Sequence, residues 1–132
     1  MDFSRHIELD ATYDEAVAWT RDALGDQGFG ILTEIDMRQT LKDKLDVDIE
    51  PQVILGACNP QLAHRALEAD PRIASLLPCN VVVRVVDGHT HIDALDPKLI
   101  ADIPDNPDLE PIATEAGERI QAALDALSQR ST

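Results

Sequence analysis

Apolar residues along the chain follow two repeating patterns, which together predict nine secondary-structure elements. Short runs that are uniformly apolar, or in which polar and apolar residues alternate, predict strands. Segments in which apolar residues recur every three or four positions predict helices that bury one side. We expect strands at 6–9, 30–36, 53–58, 79–86 and 88–95, and helices at 13–27, 37–46, 60–69 and about 108–129.

Local signals support the ends of several of these elements. Thr12 and Glu15 have the spacing of a capping box, which begins a helix. Asn59 followed by Pro60 is typical of the first residues of another helix. The dipeptide at 87–88, Asp-Gly, predicts a tight hairpin turn between the last two strands.

The order of the elements, β-α-β-α-β-α-β-β-α, predicts one α+β domain over residues 1–132. Helices are expected on one face of a largely antiparallel sheet of about five strands. The other face of that sheet must then be either solvated or covered by a partner. A proline-rich segment follows Asp96, and we expect part of it to form one helical turn and part of it to form a loop.

The charge of the chain excludes two classes of partner. It has 25 acidic and 11 basic residues, so its formal net charge is 11 − 25 = −14. Such a surface repels phosphate backbones and anionic lipid headgroups. No basic patch offsets this repulsion, because Arg38, Lys42 and Lys44 are interleaved with aspartates. We therefore expect no nucleic-acid and no membrane partner, and we interpret the acid excess as a well-solvated surface.

Three features of the sequence bear on cellular location. The first residues are polar and lack the apolar stretch of a secretory signal. The longest strongly apolar run, Val81–Val83, is far shorter than the roughly 20 residues of a membrane helix. Two cysteines are too few for a secreted disulfide scaffold. These features predict a cytoplasmic protein.

Three segments carry a resemblance to a known family. They are Gly30–Asp36, Ile54–Pro60 and Leu76–Val83, and their densest motifs are Cys-Asn-Pro and Leu-Pro-Cys. Over residues 3–98 the pattern resembles the prokaryotic family called domain of unknown function 302. The resemblance implies a curved antiparallel sheet with helices on one side, similar to the TATA-binding protein, and a homodimer. It implies no activity or catalytic residue, and it leaves the loop and helix at 99–132 largely outside the family core.

The cysteine pair is the first candidate site. Cys58 ends a strand one residue before a helix that Asn59 should cap, and a helix N-terminus lowers the pKa of a nearby thiol. Cys79 begins the next strand, so the two sulfurs can be neighbours, and His64 could act as a base beside them. Such a pair suits a thiol–disulfide couple, a reactive thiol, or a soft-metal or haem site. The alternative is that both thiols are ordinary core side chains.

Two further groups of residues share a strand face. Glu34 and Asp36 lie two positions apart, so their carboxylates could act as acid and base or bind a hard cation. The alternative is a polar strand face with Asp36 capping the next helix. His89, His91 and Asp93 could ligate zinc or iron, although a hairpin edge also carries solvated polar side chains and Arg84 is expected on the same side.

No known catalytic motif appears in the sequence. There is no glycine-rich phosphate loop, nucleophile elbow or dinucleotide-binding fingerprint. The leading hypothesis is therefore a non-enzymatic binding or interaction module that acts as a homodimer. It would receive a small ligand or a partner subunit on its sheet or in a groove near Glu34, Cys58 and Cys79. The alternative is a thiol-based redox or metal-binding protein that uses Cys58 and Cys79.

Overall fold

The computed structural model describes residues 2–131, which form an α+β fold with one five-stranded sheet. The strands are β1 Ser4–Leu9, β2 Gly30–Asp36, β3 Gln52–Cys58, β4 Cys79–Val86 and β5 His89–Leu95. Every strand pair is antiparallel, and the strands lie in the order β1-β5-β4-β3-β2. The predicted fold class is confirmed, and each strand boundary agrees with the sequence pattern to within two residues.

Five helices connect or follow these strands. The proline-rich segment contains the expected helical turn, and the last helix begins two residues later than predicted because 107–109 form a 3₁₀ turn. A second 3₁₀ turn covers Pro71–Leu76. Among residues 2–131, no helix is long and apolar enough to cross a membrane. The helices are α1 Tyr13–Asp26, α2 Met37–Leu45, α3 Pro60–Ala69, α4 Leu99–Asp102 and α5 Glu110–Arg130.

The sheet has a covered face and an open face. Alternate residues of each strand point to opposite faces, and the buried set, which includes Leu55, Val83 and Ile92, lies under α1 and α5. The neighbouring residues in the chain point to the open face. A second cluster of buried residues joins α3 and α4 to the first half of α5. Helix α2 differs from the others because it buries no residue.

A bulge in β2 decides which of its side chains reach each face. Ile31 pairs with Ala57, but Thr33 pairs with Gly56, so Leu32 is an extra residue without a partner on β3. Beyond the bulge, Glu34 pairs with the buried Leu55. Glu34 and Asp36 therefore lie on the covered side of the sheet, although they are exposed because β2 is an edge strand.

The predicted caps are present. The Thr12 hydroxyl accepts a hydrogen bond from the Glu15 amide, and the Glu15 carboxylate accepts one from the Thr12 amide, each at 3.2 Å. At the hairpin, Asp87 and Gly88 both have positive φ, 51° and 79°, as a two-residue turn requires. The capping box thus fixes where the first helix begins, and the turn at Asp87-Gly88 fixes where the last two strands reverse direction.

Asp70 links the end of α3 to the 3₁₀ turn that follows. Its carboxylate accepts hydrogen bonds from the Arg72 backbone amide at 3.0 Å and from the Arg72 guanidinium at 3.0 and 2.7 Å. The hydrogen bonds from Arg72 hold the pKa of the Asp70 carboxyl well below its usual range. The neighbouring Ala69 carbonyl accepts a hydrogen bond from Asn106 at 3.4 Å, which ties the proline-rich segment to the same corner.

We predict that replacing Asp70 with asparagine makes stability less dependent on pH in the acid range. A carboxyl whose pKa is lowered by folding stabilises the native state above its ordinary pKa of about 4 and loses this effect as the pH falls toward the lowered value. Wild type should therefore exceed Asp70→Asn in unfolding free energy at pH 7, with a gap that shrinks below about pH 4. Urea unfolding at several pH values measures this difference in unfolding free energy, and the exposed Asp105→Asn substitution is the control. A gap of constant size would contradict this explanation.

Candidate functional site

The two cysteines line one small cavity at the end of the sheet. Cys79 pairs with Ala57 across β3 and β4, and Cys58 is the next residue along β3. The cavity lies between this strand end and the helices of the second cluster, and it encloses about 30 Å³. Its walls are almost wholly apolar and comprise Phe29, Ala57, Cys58, Asn59, Leu62, Ala63, Ala66, Leu77, Cys79, Ile100, Ile112 and Ala116.

The size of the cavity limits what it can hold. A single water molecule needs roughly 10–15 Å³ of such space, whereas pockets for small organic ligands are roughly ten times larger or more than this cavity. One wall is Ile100 of α4, so the proline-rich segment contributes to the cavity at the cysteines and does not simply bridge to the last helix. As it stands, the cavity has room for no more than a few atoms.

Neither thiol is activated. Burial raises the pKa of Cys58, and burial together with the neighbouring Cys58 raises the pKa of Cys79 to about 11. The expectation that the α3 N-terminus lowers the pKa of Cys58 is therefore wrong. The reason is desolvation, because partial burial of the Cys58 sulfur disfavours its charged thiolate form. The Leu62 amide at the start of α3 donates its hydrogen bond to the Asn59 side chain at 3.2 Å.

Asn59 stabilises the structure at the start of α3, next to the cysteines. Its side chain is buried and caps α3, as the sequence predicts. Gly28 lies against it with φ of +84°, and a Cβ atom at Gly28 would come within 3.0 Å of the Asn59 amide nitrogen. Arg119 donates a hydrogen bond to the Gln27 carbonyl at 3.0 Å beside the same turn. These contacts hold the end of α1 against α3 and α5.

Glu34 and Asp36 do not reach the cysteines. They lie in a separate open groove of about 510 Å³ between α1 and β2, which is also lined by Tyr13, Asp14 and Arg21. The Arg21 guanidinium forms an ion pair with Glu34 at 2.8 Å. Asp36 accepts a hydrogen bond from the Gln39 amide at 2.9 Å and so caps α2, which is the structural alternative considered for it.

The electrostatic character of this groove is visible at Tyr13. Burial raises the pKa of the Tyr13 phenol, and the carboxylates of Asp36, Asp14 and Glu34 raise it further. Each of these charges disfavours a second negative charge in the groove. The groove therefore attracts cations, and it is chemically distinct from the apolar cavity at the cysteines.

His64 lies away from the thiols. Its side chain is 77% exposed on α3, and its Nε2 atom lies 3.1 Å from the Glu68 carboxylate one turn later. It is not part of the wall of the cysteine cavity. The structure thus gives no geometric support to His64 as a base for Cys58.

The three hairpin residues share the open face but do not converge on one point. His89 pairs with Glu8 at 3.0 Å, and Asp93 forms an ion pair with Arg84 of the facing strand. His91 is hydrogen-bonded through Nδ1 to Nε2 of His6 at 2.8 Å. Over residues 2–131, no group of three or more histidine, cysteine, aspartate or glutamate side chains is arranged to hold a metal ion.

The partners of the two histidines, His6 and Glu8, were not identified from the sequence. Both belong to β1, which pairs with β5 so that His6 faces Asp93 and Glu8 faces His91. The alternation of His6, Ile7 and Glu8 indicates that the two polar side chains share a face. No local pattern indicates that the first strand of the chain pairs with the last.

We predict that both thiols react slowly in the native protein and that Cys79 reacts more slowly than Cys58. Cys58 is half-buried and Cys79 is buried, and both pKa values are raised, so little thiolate exists at pH 7. Timed alkylation with iodoacetamide followed by mass spectrometry measures both rates, with the urea-unfolded chain as reference. Rapid labelling of both native thiols would contradict the prediction that neither thiol is activated.

We also predict that replacing either cysteine with serine costs about 1–2 kcal/mol of stability.

Comparison with known proteins identifies the family of this chain but gives no chemical activity for it. The chain is similar to the crystal structure of an uncharacterized conserved protein DUF302 from Bacillus stearothermophilus, with a TM-score of 0.89 and 30% identity, over 96% of this chain and 99% of that one. No curated protein matches the chain. The model of the family described as Domain of unknown function DUF302 matches residues 5–127, which extends the match past residue 98 and includes most of α5. The chain therefore belongs to the DUF302 family.

Proposed function

We propose that the protein is a non-enzymatic interaction module that forms a homodimer through one half of its open sheet face. The observation that carries this proposal is a patch without acidic residues in a chain that has 25 of them. The patch, called the acid-free patch below, comprises the outward residues of β2, β3 and β4. They are Thr33, Ile35, Gln52, Ile54, Gly56, Asn80, Val82, Arg84 and Val86.

An apolar row crosses this patch. Ile35 pairs with Ile54, and Ile54 pairs with Val82, so three β-branched side chains lie next to one another on adjacent strands. Ile35 is 45% exposed although it is a large apolar side chain. Depletion of acidic residues and enrichment of apolar ones distinguish the centre of an interface from the rest of a surface.

Helix α2 supports the same conclusion independently. Met37, Leu41 and Leu45 recur at four-residue intervals and form an apolar stripe, but none of them is buried, and Leu45 is 66% exposed. Val47, just after the helix, is also exposed. A nine-residue helix is marginal by itself, and an amphipathic helix normally gains stability by burying its apolar side. A partner that covered α2 would provide that burial.

A second copy of the chain fits this surface better than a charged partner does. Two copies with a charge of −14 each repel one another over most of their surfaces, so a contact is favoured where carboxylates are absent. A two-fold dimer also requires only one patch that is complementary to itself. The other half of the open face, on β1 and β5, is polar, and its His6, Glu8, His89 and Asp93 side chains already have partners.

The thiol-redox alternative is not favoured by the geometry. The raised pKa values of both cysteines and the small size of the cavity around them argue for packing. Under the present proposal, Cys58→Ser and Cys79→Ser proteins that remain folded keep the same oligomeric state. A redox protein would instead show a thiol–disulfide equilibrium that either substitution abolishes.

We predict that the wild type elutes as a dimer of twice 14.5 kDa and that arginine at the patch centre makes it a monomer. Ile35→Arg and Val82→Arg each place a solvated charge in the apolar row while reducing the net negative charge, so any loss of dimer is not caused by added repulsion. Light scattering coupled to size-exclusion chromatography measures the mass. Ile103→Arg is the matched control, because Ile103 is 57% exposed on α4's C-terminal cap, away from the patch.

The dependence on salt provides a second test of the same proposal. Salt screens the repulsion between two acidic chains, so dimerisation through an apolar patch should strengthen as ionic strength rises. A monomeric wild type at all salt concentrations, or a dimer that survives both patch substitutions, would exclude this interface.

A further inference from the structure

The outer edge of β2 is an unpaired strand edge. Among residues 2–131, β2 is the last strand of the sheet and pairs only with β3, so one side of its backbone faces away from the sheet. Six of its seven residues, 30–36, are exposed. An edge strand of this kind presents a row of free amide and carbonyl groups that can pair with an added strand.

The groove next to this edge sets the charge of what can bind there. Asp14 of α1 and Glu34 and Asp36 of β2 all contribute to it, and the Arg21 guanidinium already binds Glu34 at 2.8 Å. Within residues 2–131, no cationic side chain forms an ion pair with Asp14 or Asp36. The groove thus holds one guanidinium of its own chain and two further carboxylates without such a partner.

The spacing of the carboxylates matches that of an extended chain. Glu34 and Asp36 are two residues apart on one side of β2, which separates them by about 6.8 Å along the strand. An added strand has the same repeat, so every second side chain of the added segment would lie next to this groove. A segment with lysine or arginine at alternate positions would therefore place its cations at these carboxylates.

A second copy of the chain is a poor occupant of this edge. Pairing β2 with another β2 would bring the Glu34 and Asp36 carboxylates of both copies toward one another, and like charges on adjacent strands destabilise the pair. The other edge of the sheet, β1, does not attract cations in the same way. Its Arg5 guanidinium points to the covered side and donates hydrogen bonds to the Gly117 carbonyl at 2.7 Å and to Asp96 at 3.2 Å.

We propose that the outer edge of β2 binds an extended basic segment of a partner protein by strand addition, with its lysine or arginine side chains at Asp14, Glu34 and Asp36. The backbone edge provides affinity through hydrogen bonds, and the groove selects for positive charge. This surface differs from the acid-free patch on the open face, so the proposal does not depend on dimerisation.

The test uses the full chain and defined peptides. Fluorescence anisotropy of a fluorescein-labelled octapeptide of alternating lysine and valine reports binding. A peptide of the same sequence with alternate backbone amides N-methylated carries the same charge but cannot complete a strand ladder. A third peptide with glutamate in place of lysine has the opposite charge. We expect binding of the first peptide only, and weaker binding at high salt because exposed charge pairs are screened.

Three variants locate the site. Glu34→Gln combined with Asp36→Asn should weaken binding by about fivefold, since each exposed charge pair contributes modestly. Asparagine retains the capping ability of Asp36, so α2 should stay folded. Asp105→Asn combined with Glu118→Gln removes the same charge from exposed positions elsewhere and should leave binding unchanged. Arg21→Gln should tighten binding, because it frees Glu34 for the peptide.

Three results would overturn the proposal. Equal binding of the methylated and unmethylated peptides would mean diffuse attraction to an acidic surface with no added strand. Equal weakening by both double variants would place the site elsewhere. Absence of binding by the lysine–valine peptide at low salt would exclude the site altogether. Because these readouts use peptide affinity and not oligomeric mass, they are independent of the dimer test.

Discussion

Helix α5 packs the two hydrophobic clusters together along one continuous apolar side. Its second half, with Ile120, Leu124 and Leu127, lies on the covered face of the sheet together with α1. Its first half, with Ile112 and Ala116, packs on α3 and α4. Gly117 lies where these halves meet, and its lack of a side chain admits the Arg5 guanidinium, which would be 3.0 Å from a Cβ atom there. The positions of β1, of the cysteine cavity and of the proline-rich segment all depend on this helix.

The acidic residues are distributed unevenly over the surface, and the proposed dimer interface rests on this distribution. Carboxylates lie at caps, in turns and in the groove between α1 and β2, while the outward side of β2, β3 and β4 has none. An excess of acid that is spread over a whole surface says only that the protein is well solvated. In such a chain, the half of the open sheet face without acidic residues has the composition of an interface centre, and the proposed dimer contact rests on it.

Much of the fold could be predicted because it depends on local chemistry. The capping box at Thr12, the turn at Asp87-Gly88 and the apolar stripe of α5 each depend on residues that are close together in the sequence. The pairing of β1 with β5 could not be predicted, because it joins the first and the last strand of the sequence and no local sequence pattern indicates it. The raised pKa of Cys58 could not be predicted either, because it results from burial of the thiol, and the cavity walls around it come from segments far apart in the sequence.

The single unpaired residue in β2 has a consequence for how both candidate surfaces arose. If Leu32 were paired like an ordinary strand residue, strict alternation would place Ile31, Thr33 and Ile35 on one side and Glu34 and Asp36 on the other. The extra residue changes the frame of the strand halfway along, so Ile31 stays on the covered side while Ile35 turns outward to the open face. Loss of the bulge, with Leu32 taking up an ordinary pairing position, would exchange the apolar and acidic sides of the strand end in a single step. The two proposed binding surfaces are thus coupled through one backbone irregularity.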